Sequence, residues 1–109
     1  MTPRLTSDFR VRALIRRVHD AGGSAMVLAK GDAMSGAILI VALERGRDPA
    51  CWERDLSGVG LTRCGPIDGE PQDVEEYWRR RRKSDPDLWV VELDIAAAER
   101  FAAETIASN

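Results

Sequence analysis

Apolar residues at Val11, Leu14, Ile15 and Val18 recur at the i, i+3, i+4, i+7 spacing of one helical face and predict a helix over residues 8–21. Ser7 or Asp8 is placed to cap it, and Gly22-Gly23 supplies a left-handed stop. Arg10, Arg12, Arg16, Arg17 and His19 take the remaining circumference as a solvated surface. Residues 25–30 and 37–44 read as strands on either side of a turn that begins at Gly31 and ends at Gly36, which is the pattern of a β-hairpin. In the second strand Ile38 and Ile40 alternate with Leu39 and Val41, so neither face is polar and a central place in a sheet follows. The first strand is apolar on both sides as well and is expected to be central too.

Residues 51–56 alternate Trp52, Arg54 and Leu56 with Cys51, Glu53 and Asp55, a strand with one wet face near an edge. The Gly58-Val59-Gly60 turn returns residues 61–64 as a short partner strand, placing Cys64 opposite Glu53. Pro71 suits a helix start. Asp73, Glu75 and Glu76 near its beginning and a run of cations near its end both match the helix dipole. Its apolar face is Val74, Tyr77 and Trp78, and Asp85-Pro86 ends it. Residues 87–93 form a second two-sided strand, with Leu88 and Val90 on one face and Trp89, Val91 and Leu93 on the other. Asp94 then caps a final helix over residues 95–107, whose apolar side is Ala98, Phe101, Ala102 and Ile106. The result is one α+β domain over residues 1–109: a small mixed sheet of four to five strands with three helices, in the order α-β-β-(β-β)-α-β-α.

Composition changes this picture in two places. Hydrophobic residues make up 44% and charged residues 31% of the 109, which fits an ordered domain with a shallow cleft or flat binding surface. The net charge of −2 conceals a split: residues 1–17 carry five arginines against one acid, and residues 84–109 carry six acids against one arginine. An internal match between the first helix and the C-terminal segment accounts for that split better than a nucleic-acid footprint. The longest apolar run, residues 37–43, is too short to cross a bilayer, and the N-terminus lacks a secretory pattern, so a cytoplasmic, non-membrane protein is expected.

The segment Asp85-Pro86-Asp87-Leu88-Trp89-Val90-Val91-Glu92, with Gly31-Asp32 and Gly36-Ala37-Ile38-Leu39 upstream, resembles the domain of unknown function 1491 family (DUF1491), short uncharacterised bacterial proteins. The resemblance runs from the arginine-rich first helix to Glu92; the alanine-rich last helix departs from it. It implies Asp85, Asp87, Trp89 and Glu92 as a family-motif surface. The family carries no activity that transfers onto these residues.

Candidate chemistry is sparse. His19 is the only histidine, which excludes a histidine-paired metal site within one chain, and near a helix end its positive form is favoured. Cys51 and Cys64 lack the second pair of a zinc site and the spacing of a redox motif, so both are expected to be reduced. No catalytic residue, metal or cofactor is assigned. Arg79, Arg80, Arg82 and Lys83 form a collar suited to an anion or RNA, although a solvated helix end explains it more simply. Arg81 continues the apolar stripe and is expected to lie along it or to pair with a carboxylate such as Glu92. Trp52, Trp78 and Trp89 read as core anchors.

A small non-catalytic binding or protein-interaction module is the leading reading. Its alternatives are an enzyme using arginines and carboxylates in a shallow cleft, and an RNA-associated protein. Three two-sided strands with only three helices to cover them suggest self-association as a homodimer, with residues such as Met26, Leu28, Ile38 and Ile40 on the shared face. The rival is a monomer whose first and last helices cover opposite faces.

Overall fold

The computed structural model describes residues 5–107. Helix α1, Ser7–Asp20, is capped by Thr6, whose hydroxyl accepts from Phe9 N–H at 3.1 Å. Ser7, expected as a cap, is instead a buried first-turn residue that donates to the Gly36 carbonyl at 2.6 Å. Asp8 turns outward to Arg12. Gly22, with φ of +90°, ends the helix as the sequence indicates.

Five strands follow: β1 Ser24–Ala29, β2 Ile38–Glu44, β3 Arg47–Arg54, β4 Leu61–Cys64 and, after helix α2 Pro71–Ser84, β5 Trp89–Asp94. Their order across the sheet is β1-β5-β2-β3-β4. The expected hairpin between β1 and β2 does not form, because β5 lies between them, antiparallel to β1 and parallel to β2. A strand as apolar on both faces as β5 gains most from a neighbour on each side and a layer on each face. It takes an interior place between β1 and β2 and leaves β1 at the edge, where Met26 is 54% exposed. β3 lies near the other edge, as expected, with β4 paired along it as the edge strand itself.

Two cores result. On one face Val11, Leu14 and Val18 of α1 pack with Ile38, Ile40, Trp89, Val91 and Leu93 and with Ala98, Ala102 and Ile106 of the C-terminal segment. On the other, Val74 and Trp78 of α2 pack on Leu39, Val41, Cys51, Leu88 and Val90. The first and last helices therefore share a face rather than covering opposite ones, and α2 alone covers the second. Ile38 and Ile40 are buried within one chain, so neither is left for a dimer to cover.

The charge split is used internally, as expected: Arg17 reaches Glu104 at 2.5 Å and Thr105 at 2.6 Å. Arg10 is not on the solvated surface. It is buried and donates to the Ile106 carbonyl at 3.2 Å, tying α1 to the C-terminal segment.

The last helix is shorter than its apolar pattern suggests. Asp94 ends β5 and its carboxylate accepts from Gly46 N–H at 2.8 Å, so it does not cap. The chain enters α3, Ala98–Ala102, through Ala97 in the left-handed region and finishes in a π-helical turn, Ala103–Ala107. Trp78 and Trp89 are core anchors, whereas Trp52 is only partly buried, with Arg63 over its ring at 5.5 Å.

Candidate functional site

The segments that carry the family resemblance meet at one point. The Asp87 carbonyl accepts from Asp32 N–H at 3.0 Å, Trp89 N–H donates to the Ala37 carbonyl at 2.8 Å, and the Trp89 indole N–H donates to the Asp32 carbonyl at 2.7 Å. A Cβ on either Gly31 or Gly36 would stand 2.1 Å from the Asp87 oxygen. Both glycines are therefore required by close backbone approach where β5 is inserted between β1 and β2. The Asp32 carboxylate accepts from the N–H groups of Ser35 and Met34 and from the Ser35 hydroxyl, and these bonds, the Ser35 N–H foremost, hold it below the usual carboxylate range. Asp85 likewise serves the backbone, accepting from Asp87 N–H at 3.1 Å.

The motif residues do not form one surface. Trp89 is buried against α1, Glu92 lies on the opposite face of the sheet, and only the Asp85–Asp87 turn faces outward.

The basic collar is dispersed in the same way. Arg79 pairs with Glu75 at 3.2 Å and lies over the Trp78 ring at 4.7 Å. Arg82 turns back and donates from Nη1 to the carbonyls of Lys30, Pro86 and Leu88. Arg80 and Lys83 extend into solvent. Arg81 lies along the apolar stripe as expected, but its carboxylate partner is Glu53, at 2.8 Å, and it also donates to the Tyr77 hydroxyl at 2.7 Å. Glu92 is out of its reach because it flanks the other end of α2, beside Pro71 and Val74. Burial of Arg81 works against its charge, yet the bonds to Glu53 and Tyr77 outweigh it and raise the guanidinium pKa above its ordinary value.

Cys51 and Cys64 are directly opposite, not offset by two residues; Glu53 faces Thr62 instead. The Asp55 N–H donates to the Gly60 carbonyl at 3.1 Å, so residues 55 and 60 form a hydrogen-bonded rung. Counting down the ladder by twos makes Cys51 and Cys64 another such rung, the kind with the wider spacing, which disfavours a disulfide. Both are free thiols.

Burial pushes the Cys51 thiol up to about 11, with Cys64 adding to the shift. Above pH 9.0, the thiol's ordinary value, the unfolded chain loses this proton while the folded chain keeps it. The folded state then binds more protons, so stability falls as pH rises through that window. Urea denaturation is expected to show a loss of at most about 2 kcal/mol from this group by pH 11. Cys51→Ala flattens that part of the curve. An unaltered alkaline slope in the variant would place the titrating group elsewhere.

Among the described residues, no three histidine, cysteine, aspartate or glutamate side chains gather to hold a metal, and no helix is long and apolar enough to cross a membrane. A cavity of about 490 Å³ lies beside the start of α1, between Ser7, Arg10, Met34, Ile38 and Ile106. The Arg10 guanidinium in its wall bonds to carbonyls of its own chain.

The strand order leaves two edges: β4, which carries Arg63, and the free side of β1, which carries no charge. Trp89 N–H bonds to Ala37 and Ile95 N–H bonds to Leu43, so the odd-numbered residues of β5 turn their backbone groups toward β2. The even-numbered ones turn toward β1, where Glu92 faces Met26 and Asp94 faces Ser24. Ala25 and Val27 must then direct their N–H and C=O groups outward. A separate contact agrees: Ala25 N–H donates away from the sheet, to His19 Nε2 at 3.3 Å.

Beside this edge, on the α2 face, a groove of about 440 Å³ is lined in part by Leu28, Val41, Leu43, Val74, Trp78 and Glu92. Burial, with Asp94 adding to it, raises the Glu92 carboxyl above its ordinary value.

Residues 5–103 match the sequence profile of the family described as "Protein of unknown function (DUF1491)", which takes in the start of the C-terminal segment as well as the motifs. No curated protein matches the chain. The crystal structure of a DUF1491 family protein from Caulobacter crescentus CB15 is similar, with 34% identity and a TM-score of 0.79 over 89% of this chain and 92% of that one. The solution structure of Atu0922 from A. tumefaciens is similar at 28% identity and a TM-score of 0.78, over 93% and 94% of the two chains. On the extent of the profile match and on this shared fold, the chain belongs to the DUF1491 family.

Proposed function

We propose that this protein is a non-catalytic, cytoplasmic protein-interaction module that takes up an extended strand along the edge of β1. One observation supports this reading above the others. The outward backbone groups of Ala25 and Val27 sit between exposed apolar side chains, and no charge interrupts the strand from Ser24 to Ala29. Sheet edges of this kind pair with other strands unless charge, proline or a cover blunts them. The bulge after Val27 shortens this edge without closing it. The RNA reading is weaker, because Arg79, Arg81 and Arg82 are engaged within the chain and the collar presents only Arg80 and Lys83 as extended cations.

Val27→Pro tests the proposal. Proline at 27 removes an N–H that points outward, so the ladder between β1 and β5 loses no bond. In affinity capture from the native cell followed by mass spectrometry, the variant is expected to lose the proteins that the unaltered chain retains. Retention of the same proteins by Val27→Pro would remove the edge from the mechanism. Salt-sensitive RNA binding that disappears in an Arg80→Ala, Lys83→Ala variant would favour the RNA reading instead.

A further inference from the structure

We infer that the strand taken up by β1 is the β1 of a second copy, paired antiparallel about a two-fold axis at Met26. The inference rests on the edge reading above and adds the occupant. A strand pairs with itself symmetrically only if the residues with outward groups map onto one another when the strand is reversed. Ala25 and Val27 do so about Met26: Ala25 N–H donates to Val27 C=O of the second copy, Val27 N–H donates to Ala25 C=O, and the symmetry repeats both. This is the hydrogen-bonded rung of an antiparallel ladder, and Met26 opposite Met26 is the closer, non-bonded rung.

The side chains suit that arrangement. Met26 and Val27 are among the exposed large apolar residues, at 54% and 37%, and self-pairing covers both. Self-contact repels when like charges meet across the axis, and here the strand SAMVLA brings none. The isologous geometry closes at two copies and leaves neither β1 edge open.

One contact must open first. His19 Nε2 holds Ala25 N–H, the donor that the second copy needs, so His19 competes with dimerisation and keeps the edge guarded in the monomer. Each copy must release this bond, and two net hydrogen bonds of about 0.5–1.5 kcal/mol each correspond to roughly five- to 150-fold in the dimerisation constant.

Light scattering and sedimentation across a dilution series decide the matter. The unaltered chain is expected to move from 12.1 kDa toward twice that mass as concentration rises. Met26→Lys sets two ammonium groups against each other at the axis and is expected to weaken the dimer at least about tenfold. Val27→Pro abolishes it. His19→Ala, which frees the donor in both copies, tightens it roughly five- to 150-fold. Circular dichroism and urea melts establish that each variant is folded. A mass of 12.1 kDa at every concentration, for the unaltered chain and His19→Ala alike, overturns the second copy. The edge reading then stands or falls on the Val27→Pro capture alone. A dimer indifferent to Met26→Lys and Val27→Pro lies elsewhere on the molecule and overturns the symmetric pairing directly.

Discussion

Gly36→Ala is expected to lower stability by about 3 kcal/mol or more. The added carbon would lie 2.1 Å from the Asp87 carbonyl oxygen and 2.9 Å from the backbone N and O of Asp32. All three are main-chain atoms, so no side chain can swing aside. Relief requires Asp87 to withdraw, and that loosens the rung from Trp89 N–H to the Ala37 carbonyl, where β5 first pairs with β2. The Gly36 carbonyl also receives the buried Ser7 hydroxyl at 2.6 Å, so displacement of the loop disturbs the start of α1. Gly46→Ala is the control. Gly46 has a φ of +71° but nothing within 4 Å of a Cβ, and its replacement is expected to cost about 1 kcal/mol from backbone strain alone. Urea denaturation of the two variants separates the causes. A Gly36→Ala cost no greater than that of Gly46→Ala would show that the junction yields and that close approach does not explain the glycine.

The elements were legible in the sequence because each rests on a local period. The 11, 14, 15, 18 spacing gave α1, and the alternation through residues 88–93 assigned each side chain of β5 to its face correctly. The charge asymmetry pointed to a match between the first helix and the C-terminal segment, and the Arg17–Glu104 pair makes that match. Strand order was not legible, since nothing local to residues 25–44 announces that a segment some fifty residues later will separate two adjacent strands. The edge position of β1 and the outward groups of Ala25 and Val27 follow only from that insertion.

Two misses did have a signal. Arg10 precedes Leu14 by four residues and Val18 by eight, so it lies on the line of the apolar stripe and not around the back of the helix. Gly31 and Gly36 stood within the family resemblance, where paired glycines in a loop of ordinary length point to close packing as much as to a turn. The register of β3 on β4 depended on the loop closing at Asp55 and Gly60, and a shift of that closure moved Cys64 from Glu53 to Cys51.

Arg82→Ala is expected to cost 2 to 3 kcal/mol, roughly the value of hydrogen bonds from a charged donor, while Arg80→Ala on the same collar stays within about 0.5 kcal/mol. The two side chains leave adjacent positions of α2 but meet different surroundings. Arg80 extends into solvent. Arg82 returns to the carbonyls of Lys30, Pro86 and Leu88, and so joins three things: the end of β1, the Asp85–Asp87 turn, and the residue that leads into β5. The Leu88 carbonyl accepts from Arg82 Nη1 at 2.9 Å in a partly buried setting, where an unpaired acceptor is costly. Arg82 therefore completes, from the α2 side, the junction that the two glycines permit from the other. Arg82→Lys is expected to recover less than half of the loss, because a single ammonium on a flexible stem cannot reproduce a planar guanidinium aimed at several carbonyls. Urea denaturation of the three variants in parallel provides the comparison. Equal costs at 80 and 82 would mean that the carbonyl contacts contribute nothing to stability and would return Arg82 to the pool of cations available to an anionic partner.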